Sequence, residues 1–166
     1  MLSYIFATQH FWNSDRSRTF VDSEGKFLGC KTTTLEFAGI LVPFLSYPEL
    51  LTDQTVVVQV DNIGCHFAWK NGYARSDNMA SILVRTLVLL SEFLNCKVIV
   101  NHHPRESSWE IKLADRLSRE SSTTSQDRKL VQSFQRRNLP SVFSVWMENP
   151  SEDWDLPKKI MSVMSR

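Results

Sequence analysis

The stretch Thr55-Val56-Val57-Val58-Gln59-Val60-Asp61 decides how the rest of the chain is read. β-Branched residues fill nearly every position up to the closing aspartate. Such a run predicts a strand buried on both faces, as in a central strand with a parallel partner. Parallel strands need a crossover, and the next residues supply one. Residues 63–70 have helical character, and Asn71-Gly72 offers a stop. Asp77 or Ser76 is placed to cap a second helix, whose apolar residues Met79, Ile82, Leu83, Leu87, Leu90, Phe93 and Leu94 recur at helical spacing. Residues 97–101 predict another buried strand, so this region reads as a β-α-β unit.

Upstream, Thr33-Thr34-Leu35-Glu36 matches the S/T-x-x-E capping box. It predicts a helix running towards Leu45 with a disturbance near Pro43. Residues 2–8 and 20–28 are rich in β-formers and predict two antiparallel strands joined by a polar loop. Downstream, a loop at 102–107 leads to a helix expected over about 108–119. The polar tract Ser121-Ser122-Thr123-Thr124-Ser125 marks the expected boundary, which divides the chain into a domain at 1–120 and a helical extension at 121–166. Residues 126–137 read as a basic helix. In the segment from Leu139 onward, Phe143, Trp146 and Trp154 are apolar anchors, so packing against another element is expected. Antiparallel signals followed by a β-α-β unit predict an α/β domain with a mixed sheet.

Composition narrows the function classes. With 166 residues and 42% hydrophobic content, the chain can bury one ordinary core. A net charge of +1 argues against nucleic-acid binding by bulk charge alone, while leaving room for a local basic face. Cys30, Cys65 and Cys96 form no C-x-x-C pair, so a cysteine zinc site has no support and reduced thiols in an intracellular protein are expected, cytoplasmic or nuclear. The apolar runs at 37–45 and 82–90 are interrupted by Pro43 and Arg85 and fall short of the roughly 20 residues a membrane span needs, so no membrane partner is expected.

Three carboxylates occupy special places. Glu36 lies in the first turn of the first helix, Asp61 ends the valine strand, and Asp115 sits in the helix expected after residue 108. Active groups in α/β sheets collect at the carboxyl ends of parallel strands, where Asp61 stands. Clustered carboxylates repel one another unless a cation neutralises them. Such hard oxygen donors suit Mg²⁺ or Mn²⁺, and two ions of that kind can clamp the attacking and leaving oxygens of a phosphodiester displacement. Each carboxylate also has a structural alternative: Glu36 closing the capping box, Asp61 capping the following helix, and Asp115 pairing with Arg119.

The order of these groups carries a resemblance. Thr33-Thr34-Leu35-Glu36-Phe37 resembles the T-x-x-E helix start of ribonuclease H domains, and Val60-Asp61-Asn62 resembles their second-Asp strand end. His102-His103-Pro104, with Ala114-Asp115-Arg116-Leu117-Ser118-Arg119, resembles the H-x-P … A-D-x-L-S-R ending of retroelement ribonuclease H domains. The fuller string, with Glu106-Ser107-Ser108-Trp109 between, is most similar to the domain of tyrosine-recombinase (DIRS-like) retrotransposons. The resemblance spans about residues 2–120. It implies a ribonuclease H-like fold, a five-stranded mixed sheet flanked by helices. It also implies hydrolysis of the RNA strand of an RNA–DNA hybrid within a reverse-transcription polyprotein, beside the other domains of that polyprotein. Under it Glu36, Asp61 and Asp115 become catalytic metal ligands, and His102 matches the loop histidine that assists product release or proton transfer.

One departure bears on activity. The family's first strand carries an Asp in a T-D-A/G-S context, and no such string precedes residues 2–8; Asp15 and Asp22 stand too close to Glu36 in sequence. The first strand and its Asp are therefore expected to be missing, as in an N-terminally truncated domain. The competing expectation is a catalytically inactive ribonuclease H-like module that binds nucleic acid or protein. On the substrate side, Asn62 is placed to meet a sugar or base edge, and Arg105 is either a phosphate contact or a solvated loop charge. Tyr73 with Arg75, and Trp69 with Lys70, are candidates for stacking on a strand, although Trp69, four residues after Cys65, also suits the core.

Overall fold

The structure is a computed structural model that describes residues 32–75, 77–104, 109, 112–113, 116, 124–132, 138–148 and 155–166. The strands expected at 2–8 and 20–28 lie outside these residues, as do Asp115 and Arg105 among the candidate site residues. The described elements run α1 (Thr32–Ser46), α2 (Pro48–Leu51), β1 (Thr55–Val60), α3 (Ile63–Asn71), α4 (Asn78–Phe93), β2 (Lys97–His102), α5 (Ser125–Gln132), α6 (Ser141–Glu148) and α7 (Leu156–Met164). Trp109, Lys112, Leu113 and Arg116 are also helical, in line with the helix expected over 108–119.

The sequence places the chain in the α/β class, and the structure is mixed α/β. Among the described residues the sheet has two strands, β1 and β2, paired in parallel from Thr55↔Lys97 to Val60↔His102. The connection between them runs through α3 and α4, as parallel pairing demands. The turns entering both strands are stitched together. Asp53 (φ 60°) and Asn95 (φ 49°) both take the left-handed conformation, which Asp and Asn tolerate better than most residues. Asn95 Nδ2 donates to Asp53 Oδ1 at 2.7 Å, and Asp53 N–H donates to the Leu94 carbonyl at 3.0 Å.

The valine strand is not buried on both faces. Val56, Val58 and Val60 face the core with Val98 and Val100, whereas Thr55, Val57 and Gln59 are exposed, Val57 at 46%. The pleat sends alternate side chains to opposite faces, and α3 packs on the sheet. Helix α1 continues through Pro43 to Ser46, although the proline removes one donor from the ladder. It begins at Thr32, so Thr33 stands inside the first turn instead of preceding it.

The core is built on α4. Ala80, Leu83, Val84, Leu87 and Leu90 are buried at helical spacing. Helix α1 packs against α4, bringing Phe37, Leu41 and Phe44 into the same cluster. Helix α7 packs against α4 as well, and α6 against α7, so Phe143, Trp146, Leu156 and Ile160 join that cluster. The anchors expected in the extension, Phe143 and Trp146, are thus core residues; Trp154 lies outside the described residues.

Candidate functional site

The carboxyl edge of the sheet is where the candidate residues meet. Val60 is the register partner of His102, and the His103 N–H donates to the Val60 carbonyl at 2.8 Å. Asp61 follows Val60 directly, so the parallel pairing brings Asp61 and His102 to the same edge although they are far apart in sequence. Asp61 is half-buried and His102 exposed.

Helix α3 starts at this edge, and its cap is Asn62, not Asp61. The Asn62 side-chain oxygen accepts the Gly64 N–H at 2.7 Å, with backbone angles typical of an N-cap. Asn62 therefore spends its carbonyl oxygen on the helix, and its amide NH₂ is the part that can meet a ligand. Gly64 fits closely here: a Cβ on it would stand 2.8 Å from Asn62 Oδ1 and 3.1 Å from Thr33 Oγ1, so either side chain would have to shift. The starts of α1 and α3 come together over that glycine.

One turn in, Cys65 links the two helices. Its thiol donates to Glu36 Oε2 at 3.5 Å and approaches the Thr33 carbonyl at 3.8 Å. Burial pushes the thiol well above its ordinary range, and Glu36, by charge and by hydrogen bond, then Asp61 and Asp77 push it the same way. Cys65 is thus a neutral S–H that orients a carboxylate, not a thiolate nucleophile. Asp61 directly precedes Asn62, the cap of α3, so the helix that carries Cys65 and its hydrogen bond to Glu36 starts beside Asp61.

A second tie holds the α1 start in place. Thr34 Oγ1 donates to the Asp77 carboxylate at 2.9 Å and 3.1 Å, and Asp77 Oδ1 also accepts the Ala80 N–H at 3.0 Å as the N-cap of α4. Asp77 was one of the two expected caps. On the other side of α3, the His66 ring donates from Nδ1 to the Val100 carbonyl at 2.7 Å, since a carbonyl can only accept; this pins α3 to β2. The Cys65–Glu36 link and the His66 contact are invisible in the sequence, because each joins residues about thirty positions apart.

Glu36, Asp61, Asn62 and His102 therefore stand on elements that converge at one edge. Glu36 and Asp61 offer the hard oxygen donors that Mg²⁺ or Mn²⁺ takes. Among the described residues no group of three or more His, Cys, Asp or Glu side chains forms that could hold a metal. Nor, among them, is any helix long and apolar enough to cross a membrane. The chain matches no protein-family model, and no curated protein or solved structure matches it.

Proposed function

We propose that this chain is a ribonuclease H-like retroelement domain that hydrolyses the RNA strand of RNA–DNA hybrids. The observation that carries this reading is the Cys65–Glu36 hydrogen bond, which ties the start of α1 to the helix that begins just after Asp61 at the carboxyl end of a parallel strand pair. That convergence joins two of the motifs that resemble ribonuclease H domains, T-x-x-E and V-D-N, in the order the resemblance requires. The five-stranded sheet and the third ligand Asp115 belong to the proposal.

Glu36, Asp61 and Asp115 would hold Mg²⁺ or Mn²⁺, which supplies charge neutralisation of the phosphodiester and activation of water when bound. The residues of the chain do the positioning. Cys65 S–H fixes the orientation of Glu36, and the Thr34–Asp77 pair fixes the helix that carries it. His102, exposed at the same edge, can move a proton or help the product leave. Asn62 and Arg105 are assigned to the sugar and phosphates of the hybrid.

The test is cleavage of a labelled RNA–DNA hybrid with Mg²⁺ or Mn²⁺, with Asp61→Asn as the control. Loss of at least two orders of magnitude in rate on that substitution is expected for removal of a metal ligand. Equal cleavage by both proteins, or cleavage by neither, sinks the nuclease reading. The alternative reading is an inactive ribonuclease H-like binding module. It is recognised by hybrid binding that weakens steeply with salt, without cleavage.

A further inference from the structure

On the face of α3 that carries Gly64 and Phe67, residues 72–75 border an open groove of about 200 Å³, lined also by Thr33 at the start of α1 and by Asp77. Sites that enclose a small molecule run to roughly 300–1,000 Å³, so this groove suits an extended chain lying along the surface instead. Two of its aromatic side chains are turned outward, Phe67 at 47% and Tyr73 at 56% exposure. Arg75 lines the groove, and Lys70 lies exposed on the same helix as Phe67. Among the described residues, neither cation is engaged by a carboxylate. The acidic side chain at the groove, Asp77, is buried and committed to Thr34 and to the α4 cap. Arg75 therefore lines the groove with Phe67 and Tyr73, and Lys70 stands one turn along the helix from Phe67.

We propose that this groove binds an unpaired nucleic-acid strand, its bases stacking on Phe67 and Tyr73 and its phosphates meeting Lys70 and Arg75. A duplex keeps its bases stacked inside and offers only backbone, whereas exposed rings are matched by splayed bases. Cations beside the rings complement the backbone that connects those bases. The groove thus selects substrates with a single-stranded segment next to the hybrid. This rests on the nucleic-acid reading above for the choice of occupant, but not on catalysis.

The experiment is fluorescence anisotropy of a short labelled oligothymidylate or oligouridylate, with EDTA present so that cleavage plays no part. Wild type is expected to bind with an affinity that falls as salt rises. Phe67→Ala and Tyr73→Ala should each weaken binding about tenfold, in the range of losing one stacked base. Arg75→Glu should weaken it comparably and flatten the salt dependence. All three side chains are exposed, and unchanged circular dichroism and melting will confirm that the variants fold; if an aromatic variant does not, Arg75→Glu alone decides. No oligonucleotide binding by wild type, or equal binding by wild type and the folded variants, overturns the proposal; the first of these outcomes leaves the groove to a protein partner. Hybrid cleavage failing while the oligonucleotide binds removes the nuclease reading and spares this one; the reverse removes this one alone.

Discussion

At the scale of single residues, Asp127 gathers more hydrogen bonds than its place in a polar tract suggests. Its carboxylate accepts from Arg116 Nε at 3.0 Å and Nη2 at 2.9 Å, and from the Thr124 N–H at 3.1 Å. Its own N–H donates to Thr124 Oγ1 at 3.1 Å, so Thr124 and Asp127 cap the start of α5 reciprocally. The Arg116 hydrogen bonds, then those from Thr124, hold the carboxyl well below the usual carboxylate range against a smaller opposing push from burial. A depressed folded value means that the unfolded chain takes up the proton first. The stability this group contributes is present above the unfolded value near 4 and is lost as pH falls through the folded value. Asp127 shows only 6% of its side chain because Arg116 covers it, and Arg116 is itself 41% exposed, so water still screens the pair. Urea unfolding across acid pH should therefore show wild type losing stability faster than Asp127→Asn below about pH 4, with the two curves converging. Parallel curves would show that the pair contributes nothing to folding.

At the scale of elements, the register of the sheet is set where its strands begin. Asp53 and Asn95 precede β1 and β2, both left-handed, and are joined side chain to side chain. Asn95→Ala removes that bond and leaves a residue with no polar side chain in a left-handed conformation that costs roughly 1–2 kcal/mol. Asn95→Gly removes the bond but not the conformational freedom. Chemical denaturation should rank wild type above Asn95→Gly and Asn95→Gly above Asn95→Ala; an alanine variant as stable as the glycine one would mean that the turn relaxes freely. This turn, unlike other features, could not be read from the sequence, since neither residue is a glycine. Local signals were legible: the apolar period of α4, the Asp77 cap, the Asn71-Gly72 stop with Gly72 at φ 77°, and the strand character of 55–60. What periodicity could not settle was which face of β1 is covered, because valine occupies both faces and only the position of α3 distinguishes them. The site was legible in the same partial way. Asp61 was placed at a strand end by pattern, and His102, expected to open the loop at 102–107, is the last residue of β2; the thiol that ties Glu36 to that end depends on how α1 packs against α3.

At the scale of the whole molecule, the question is whether the helices after the Ser/Thr tract stabilise the part that carries Glu36 and Asp61. Trp146 and Phe143 are fully buried, and they share one apolar cluster with Leu41 of α1 and Leu87 of α4. The path of contact runs from α6 to α7 and from α7 to α4, the helix on which α1 also packs. Removing a buried tryptophan costs about 3–5 kcal/mol, through lost burial and the cavity left behind. A domain of ordinary stability has about 5–15 kcal/mol in total, so the loss is large enough to read directly. If the cluster is one cooperative core, Trp146→Ala lowers the midpoint of a single transition, and helix content and hybrid cleavage are lost together as denaturant rises. If the extension is only an appendage, Trp146→Ala splits the unfolding into two transitions and leaves the later one at the wild-type midpoint. The packing of α7 on α4 argues for the first outcome: α7 shares α4 with α1 and α3, and Leu156 and Ile160 of α7 belong to the same cluster as Leu83, Leu87 and Leu90.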